Sequence, residues 1–181
     1  MSSTQGLLLG ALVVCGFWMV GAHNRVVGLR AAIVETWGQI DALCERRGQV
    51  LESLAQALWD LWPNGRDGVD ALRSAQQQLH SAAGAVRSRP TRAEAAASLA
   101  TAEGALDATL ARVLNQVESD AELHANDAVA TQMLALFEFG PQLIDKRQRF
   151  NRACTAYNEA IRQFPTSLLA PVFRFESAGS L

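Results

Sequence analysis

From Val26 onward, apolar residues return every seven positions. Val26, Ile33, Ile40, Leu54 and Leu61 form one row, and Trp37, Cys44, Leu51 and Leu58 a second. At 3.6 residues per turn every seventh side chain comes back to nearly the same side, so the two rows predict one buried face of a long α-helix. Arg30 and Arg47 interrupt the rows. The helical pattern continues unbroken from an uncharged stretch before it and stops at "WPNGRDG", 62–68, where Pro and Gly end a helix. Val69, Leu72, Leu79 and Val86 predict a second helix from about Asp67 to Arg87, ended by Arg89-Pro90. "TRAE" at 91–94 matches a capping box for a third helix, in which the Thr91 hydroxyl and the Glu94 carboxylate satisfy orphan amides. That helix carries Leu99, Leu106, Leu110, Val113 and Val117 inward, to about Glu118. After the loop "SDAELHAND", Asn126 suits an N-cap. The last helix places Val129, Leu136, Leu143, Phe150, Tyr157 and Phe164 at strict sevens and ends at Pro165; Gly140-Pro141 predicts a kink within it.

The expected fold is therefore all-α: an N-terminal transmembrane helix continuing into a long antiparallel, up-down-up-down four-helix bundle. The outer helices are the longest, roughly 60 Å each. The two middle ones start from the far turn and are too short to cover the rest. This predicts a four-helix head and a two-helix stalk made of residues 23–38 and 147–164. Matching heights puts Trp37 level with Asn151, and Arg30 level with Tyr157-Asn158. Asn151 and Asn158 each follow an aromatic. Facing each other's helix across the seam, they would fix its register. Alternatively, Trp37, Tyr157 and Asn158 make an exposed strip for a partner, or a small-molecule site.

Residues 6–22, "GLLLGALVVCGFWMVGA", carry no charge. As a helix they span roughly 26 Å, slightly short of the ~30 Å hydrocarbon core. Leu8, Leu12, Phe17 and Trp18 would face lipid. The rival reading is a cleaved signal peptide, because "VGA" before His23 resembles a cleavage site. The leading "MSSTQ" has no positive side chain, which favours an uncleaved, single-pass anchor. Val14 is too large to precede a lipidated Cys15. No Lys or Arg precedes the run, and Arg25 and Arg30 follow it, so the amino terminus is expected outside and the domain in the cytoplasm. The chain divides into an anchor (1–22), a helical domain (23–165) and an apolar tail (166–181) that touches lipid or folds back.

Composition narrows the function. The chain of 181 residues carries a formal net charge of −2, which gives no whole-chain case for nucleic acid. The charge is unevenly spread: residues 39–146 carry a net −6 and the stalk a net +4. Arg25, Arg162 and Arg174 are placed to meet anionic head groups. Cys15, Cys44 and Cys154 show no metal spacing, and the last two differ in height by some 15 Å, too far for a disulfide. Neither His80 nor His124 has Glu three residues before it, as a di-iron bundle needs. HExxH, Walker, GxSxG and GxGxxG motifs are missing from the sequence. Asp120, Glu122, Asn126 and Asp127 faintly suggest calcium but lack the central Gly. Asp41 beside Arg46 and Arg47 reads as structural pairing. No catalysis, cofactor, metal or small-molecule substrate is expected.

Two segments carry a family resemblance. "NRVVGLRAAIVETWGQIDALCERR" supplies Asn24, Arg25, Leu29, Arg30, Trp37, Gln39, Ile40, Asp41, Arg46 and Arg47. The aromatic-Asn pairs Phe150-Asn151 and Tyr157-Asn158, followed by Phe164-Pro165, supply the other end, with "ELHAN" at 122–126 between. Together they resemble the LemA family. The chain departs from the family pattern at "GQVLESL" after Arg47 and at Gly140-Pro141-Gln142-Leu143. The resemblance implies a membrane-anchored antiparallel helical protein of the bacterial inner membrane. On that reading the protein is a scaffold or regulator of protein assembly. Its partners are membrane lipids and either a second copy or another helical protein. Arg30, Trp37, Asp41, Asn151, Tyr157, Asn158, Phe164 and Pro165 are the expected partner contacts. The alternatives are an accessory subunit of a membrane enzyme or transporter, or a membrane-remodelling protein of the magnetosome type.

Overall fold

The computed structural model describes residues 3–164, 166, 167, 173 and 175–181; the side chains of residues 3–9, 11 and 12 are outside the described set. The described residues hold helices and no strand. Helix α1 is Ser3–Leu61, followed by a 3₁₀ turn at Pro63–Gly65, α2 at Arg66–Ser88, α3 at Ala93–Ser119, the short α4 at Ala121–His124 and α5 at Asp127–Arg162. Among the described residues no helix is long and apolar enough to cross a membrane. Leu8 and Leu12 belong to the part of α1 whose side chains are not described.

The heptad rows set the core. Val26, Ile33, Trp37, Ile40, Leu51, Leu54 and Leu58 of α1 are buried, as are Val129, Leu136, Leu143, Phe150 and Tyr157 of α5. Cys44 in mid-row is half-buried, and the rows fail at their ends, where Leu61 and Phe164 are exposed. All the inward positions expected for α2 and α3 are buried too. Helices α1 and α5 run antiparallel: Arg25 meets Gln163, Trp37 meets Phe150 and Arg46 meets Phe139. Helix α2 returns along α1, with Arg73 at Glu52, Gln76 at the Gly48 carbonyl and Arg87 at Asp41. Helix α3 packs along α2.

The helix ends follow local chemistry, with one correction. Asn126 caps α5 as expected, its Oδ1 accepting from the Ala128 and Val129 amides at 3.0 and 3.2 Å. Asp120 caps α4 in the same way. The capping box at Thr91 does not form: α3 starts after Arg92, which makes no side-chain cap. Arg92 instead lies 3.6 Å from both Glu94 and Glu176, so the Glu94 carboxylate is drawn to a guanidinium rather than to a backbone amide. At the first turn the Trp62 indole lies on Gly65, where any Cβ would come within 2.0 Å of the ring. Pro141 is accommodated inside α5 on an exposed face, and the helix continues through it.

Candidate functional site

The two asparagines that follow aromatics in α5 do not bond across the α1–α5 seam. Both hold the C-terminal segment. Asn151 Nδ2 donates to the Leu181 main-chain oxygen at 2.7 Å, and its Oδ1 accepts from the Leu181 N–H at 2.8 Å. Asn158 Nδ2 donates to the Ala178 carbonyl at 2.9 Å, and its Oδ1 accepts from the Ala178 N–H at 2.7 Å. A primary amide offers the same donor and acceptor as a peptide group, so each asparagine pairs with main chain and is indifferent to the residue it holds.

The spacing explains why two are needed. Seven residues of helix rise about 10.5 Å. Three residues of chain cover that distance only when nearly fully extended, at up to ~3.5 Å each. Asn151 and Asn158 are seven apart on α5, while Leu181 and Ala178 are three apart on the tail. The pair therefore selects an extended segment running opposite to α5. Heptad spacing also puts Phe150 and Tyr157 together on the neighbouring buried face, where they anchor the helix that carries the clamp.

This strap closes the side of the α1–α5 pair that α2 and α3 leave open. It starts near His23, whose ring lies 4.8 Å from Phe173 and 6.1 Å from Phe175. Phe175, Ala178 and Leu181 pack on the hydrophobic core. The strap then meets the start of α3. A Cβ on Gly179 would lie 2.7 Å from the Ala93 Cα and 3.0 Å from the Ala96 Cβ, and Arg92 lies 3.6 Å from Glu176. Residues 23–38 of α1 thus pack along residues 147–164 of α5, and the bare two-helix stalk expected there is instead covered by the C-terminal segment.

Several expected contacts change accordingly. Trp37 is 3% exposed and Tyr157 2%, so they form no exposed strip; burial also pushes the Tyr157 hydroxyl pKa upward. Trp37 packs edge-on against Phe150 at 6.2 Å, and its Nε1 has no hydrogen-bond partner among the described residues. Asp41 pairs with neither Arg46 nor Arg47: it takes two 2.8 Å bonds from Arg87, because α2 returns directly over it. Arg46 lies over the Phe139 ring at 6.0 Å, and Arg47 reaches Asp107 on α3 at 2.6 Å. Arg30 is exposed, and Phe164 is exposed with its ring 5.1 Å from Trp18. Phe17 and Trp18 are exposed on α1. Arg25, exposed, donates to Gln163 at 3.2 Å, and Arg162 is exposed. Pro165 and Arg174 lie outside the described residues.

Farther from the strap, the α3 residue Glu103 is buried and paired with Arg147 of α5, whose Nε has no partner among the described residues. Cys44 lies within their field, and burial raises its thiol pKa to about 11. Among the described residues, no three His, Cys, Asp or Glu side chains gather into a group that could hold a metal. On the outer face of α5, Leu134, Phe137 and Ile144 are exposed beside Ala130 and Pro141, a second apolar stripe at alternating spacings of four and three.

Comparison with protein-family models matches the LemA family over residues 36–181. The chain belongs to the LemA family. The match covers α1 from Thr36 onward, every later helix, the asparagine pair and the strap, while Asn24, Arg25, Leu29 and Arg30 precede it. No curated protein matches the chain. For this LemA-family chain, sequence reasoning found the asparagines but missed what they hold. The missing partner was visible only as "SAGSL", a run of mostly small residues that can lie close to a helix.

Proposed function

We propose that this protein is a membrane-anchored, non-catalytic scaffold that presents a helical head at a set distance from the bilayer. The carrying observation is the continuity of α1, which joins the uncharged run at residues 6–22 to the head as one rod of 59 residues. On this reading the four long helices make an antiparallel four-helix bundle. The strap stiffens the membrane-proximal stalk, and the amino terminus lies outside with the domain in the cytoplasm. Membrane lipids are one partner. A second copy or another helical protein is the other, which the exposed stripe at Leu134, Phe137 and Ile144 supports, since paired helices use that spacing.

The test uses the full chain in cells. Alkaline extraction should leave it in the membrane pellet, and Val13→Arg with Val14→Arg should release it, because each arginine at a helix centre costs about 2.5–3.5 kcal/mol of insertion. Release of the unaltered chain would defeat the anchor. A photo-crosslinker at Phe137 should capture a discrete protein species from membranes, and its failure to capture any would defeat the scaffold.

A further inference from the structure

We propose that the Asn151–Asn158 clamp is an exchangeable binding site for an extended peptide, and that its occupant in trans is the C-terminal segment of a second copy. Four observations carry this. The clamp bonds only to main chain, through four hydrogen bonds of 2.7–2.9 Å, so its seat is a generic one for extended backbone. Selectivity comes from packing: Phe175, Ala178 and Leu181 lie on the core, and the residue opposite Ala93 must be glycine, since a Cβ there would press on backbone at 2.7 Å and helix backbone cannot yield as a flexible side chain can. Among the described residues the segment makes no backbone–backbone hydrogen bond in its last seven residues, and the side-chain bonds and packing that hold it there are ones an identical segment reproduces. A second copy has that glycine, and the residues that match Asn151 and Asn158, by identity. Exchange of an identical element is a low-cost route to dimers.

The occupant also follows from position. The seat lies at the level of residues 23–37 of α1, directly beyond the uncharged run. Copies anchored in one bilayer hold their tails and seats at a common height. This last point rests on the anchored reading; the clamp's affinity for a free peptide does not.

The test uses the full chain carrying Gly179→Val, which expels its own strap and leaves the seat intact. A fluorescent peptide spanning residues 173–181 should bind this protein saturably. It should bind the unaltered chain about tenfold or more weakly, because there the seat is already filled. The same peptide with Gly179→Val should not bind. Adding Asn151→Ala and Asn158→Ala to the protein should abolish binding. Circular dichroism melting establishes that each variant is folded. No binding to a folded Gly179→Val protein overturns the site, and so does unfolding of that variant, which would make the strap an inseparable part of the core. Equal binding to the asparagine variant overturns the clamp. For the second copy, equal amounts of ¹⁴N- and ¹⁵N-labelled full chain carrying a photo-crosslinker at Ser180 are mixed in vesicles. Heavy–light crosslinks to α5 are expected, and crosslinks confined to single chains overturn exchange. Peptide binding in solution without heavy–light crosslinks would separate failure of anchoring or exchange from failure of the site.

Discussion

The clamp turns a side-chain amide into a piece of sheet edge. Each asparagine contributes two hydrogen bonds, each with a net value of about 0.5–1.5 kcal/mol, and leaves two half-buried backbone groups stranded if removed. Asn158→Ala should therefore destabilise the protein by about 1–3 kcal/mol in urea unfolding. Asn158→Asp should not restore this: the carboxylate still accepts from the Ala178 N–H but has no hydrogen to offer the Ala178 carbonyl, and Glu176 lies two residues away. Equal stability of the Asp variant and the original would remove the argument for main-chain mimicry. The buried thiols make a second prediction at this scale. Burial raises both Cys44 and Cys154 to about 11, above the ordinary value of 9.0. Between these values the unfolded chain sheds protons that the folded chain keeps, so stability present below pH 9 falls as pH rises toward 11. The melting temperature should drop more steeply from pH 8.5 to 10.5 in the original than in a Cys44→Ala, Cys154→Ala variant.

Among the elements, periodicity made nearly everything legible. Seven-residue rows fix which face of α1 and α5 is buried, because packing repeats with the turn, and the structure buries those rows along almost their whole length. Local chemistry was less reliable where a stronger partner stood nearby. Asn126 has no competitor and caps α5. Thr91 and Glu94 have the sequence of a capping box, yet Arg92 sits between them and meets Glu94 and, from far along the chain, Glu176. Asn126→Ala should cost about 1 kcal/mol in thermal or urea unfolding, whereas Thr91→Ala should cost almost nothing. A cost at Thr91 matching that at Asn126 would show that the box forms in solution. The strap was illegible for a related reason. It has no period of its own, and its register exists only as the match of three extended residues to seven helical ones. Neither segment contains that ratio by itself; it becomes visible when Asn151 and Leu181 are seen together. The same limit hid the Asp41–Arg87 pair, whose members are distant in sequence and meet only because α2 folds back over α1.

For the molecule as a whole, the strap and the middle helices divide one task. A long antiparallel pair such as α1 and α5 exposes apolar surface along its full length unless something covers it. Helices α2 and α3 cover the distal part and reach down only to the level where Arg87 meets Asp41 and Ala93 meets Gly179. Below that, Ala178 and Phe175 of the C-terminal segment take over, while Leu181 lies on the distal side of Gly179 at Asn151. The two regions should therefore open separately, since local stability follows local burial. The distal part is tied across its helices by Arg47–Asp107 and by buried Glu103 with half-buried Arg147, and neither involves the strap. Ending the chain after Phe175 removes all four clamp bonds and the Gly179 contact while leaving those ties in place. Hydrogen exchange should then quicken in residues 23–37 and 150–161, with protection of α2 and of α3 beyond its first turns unchanged. If protection fell throughout, the strap would be a keystone of one cooperative unit. If it fell nowhere, the strap would lie on a stalk already stable without it.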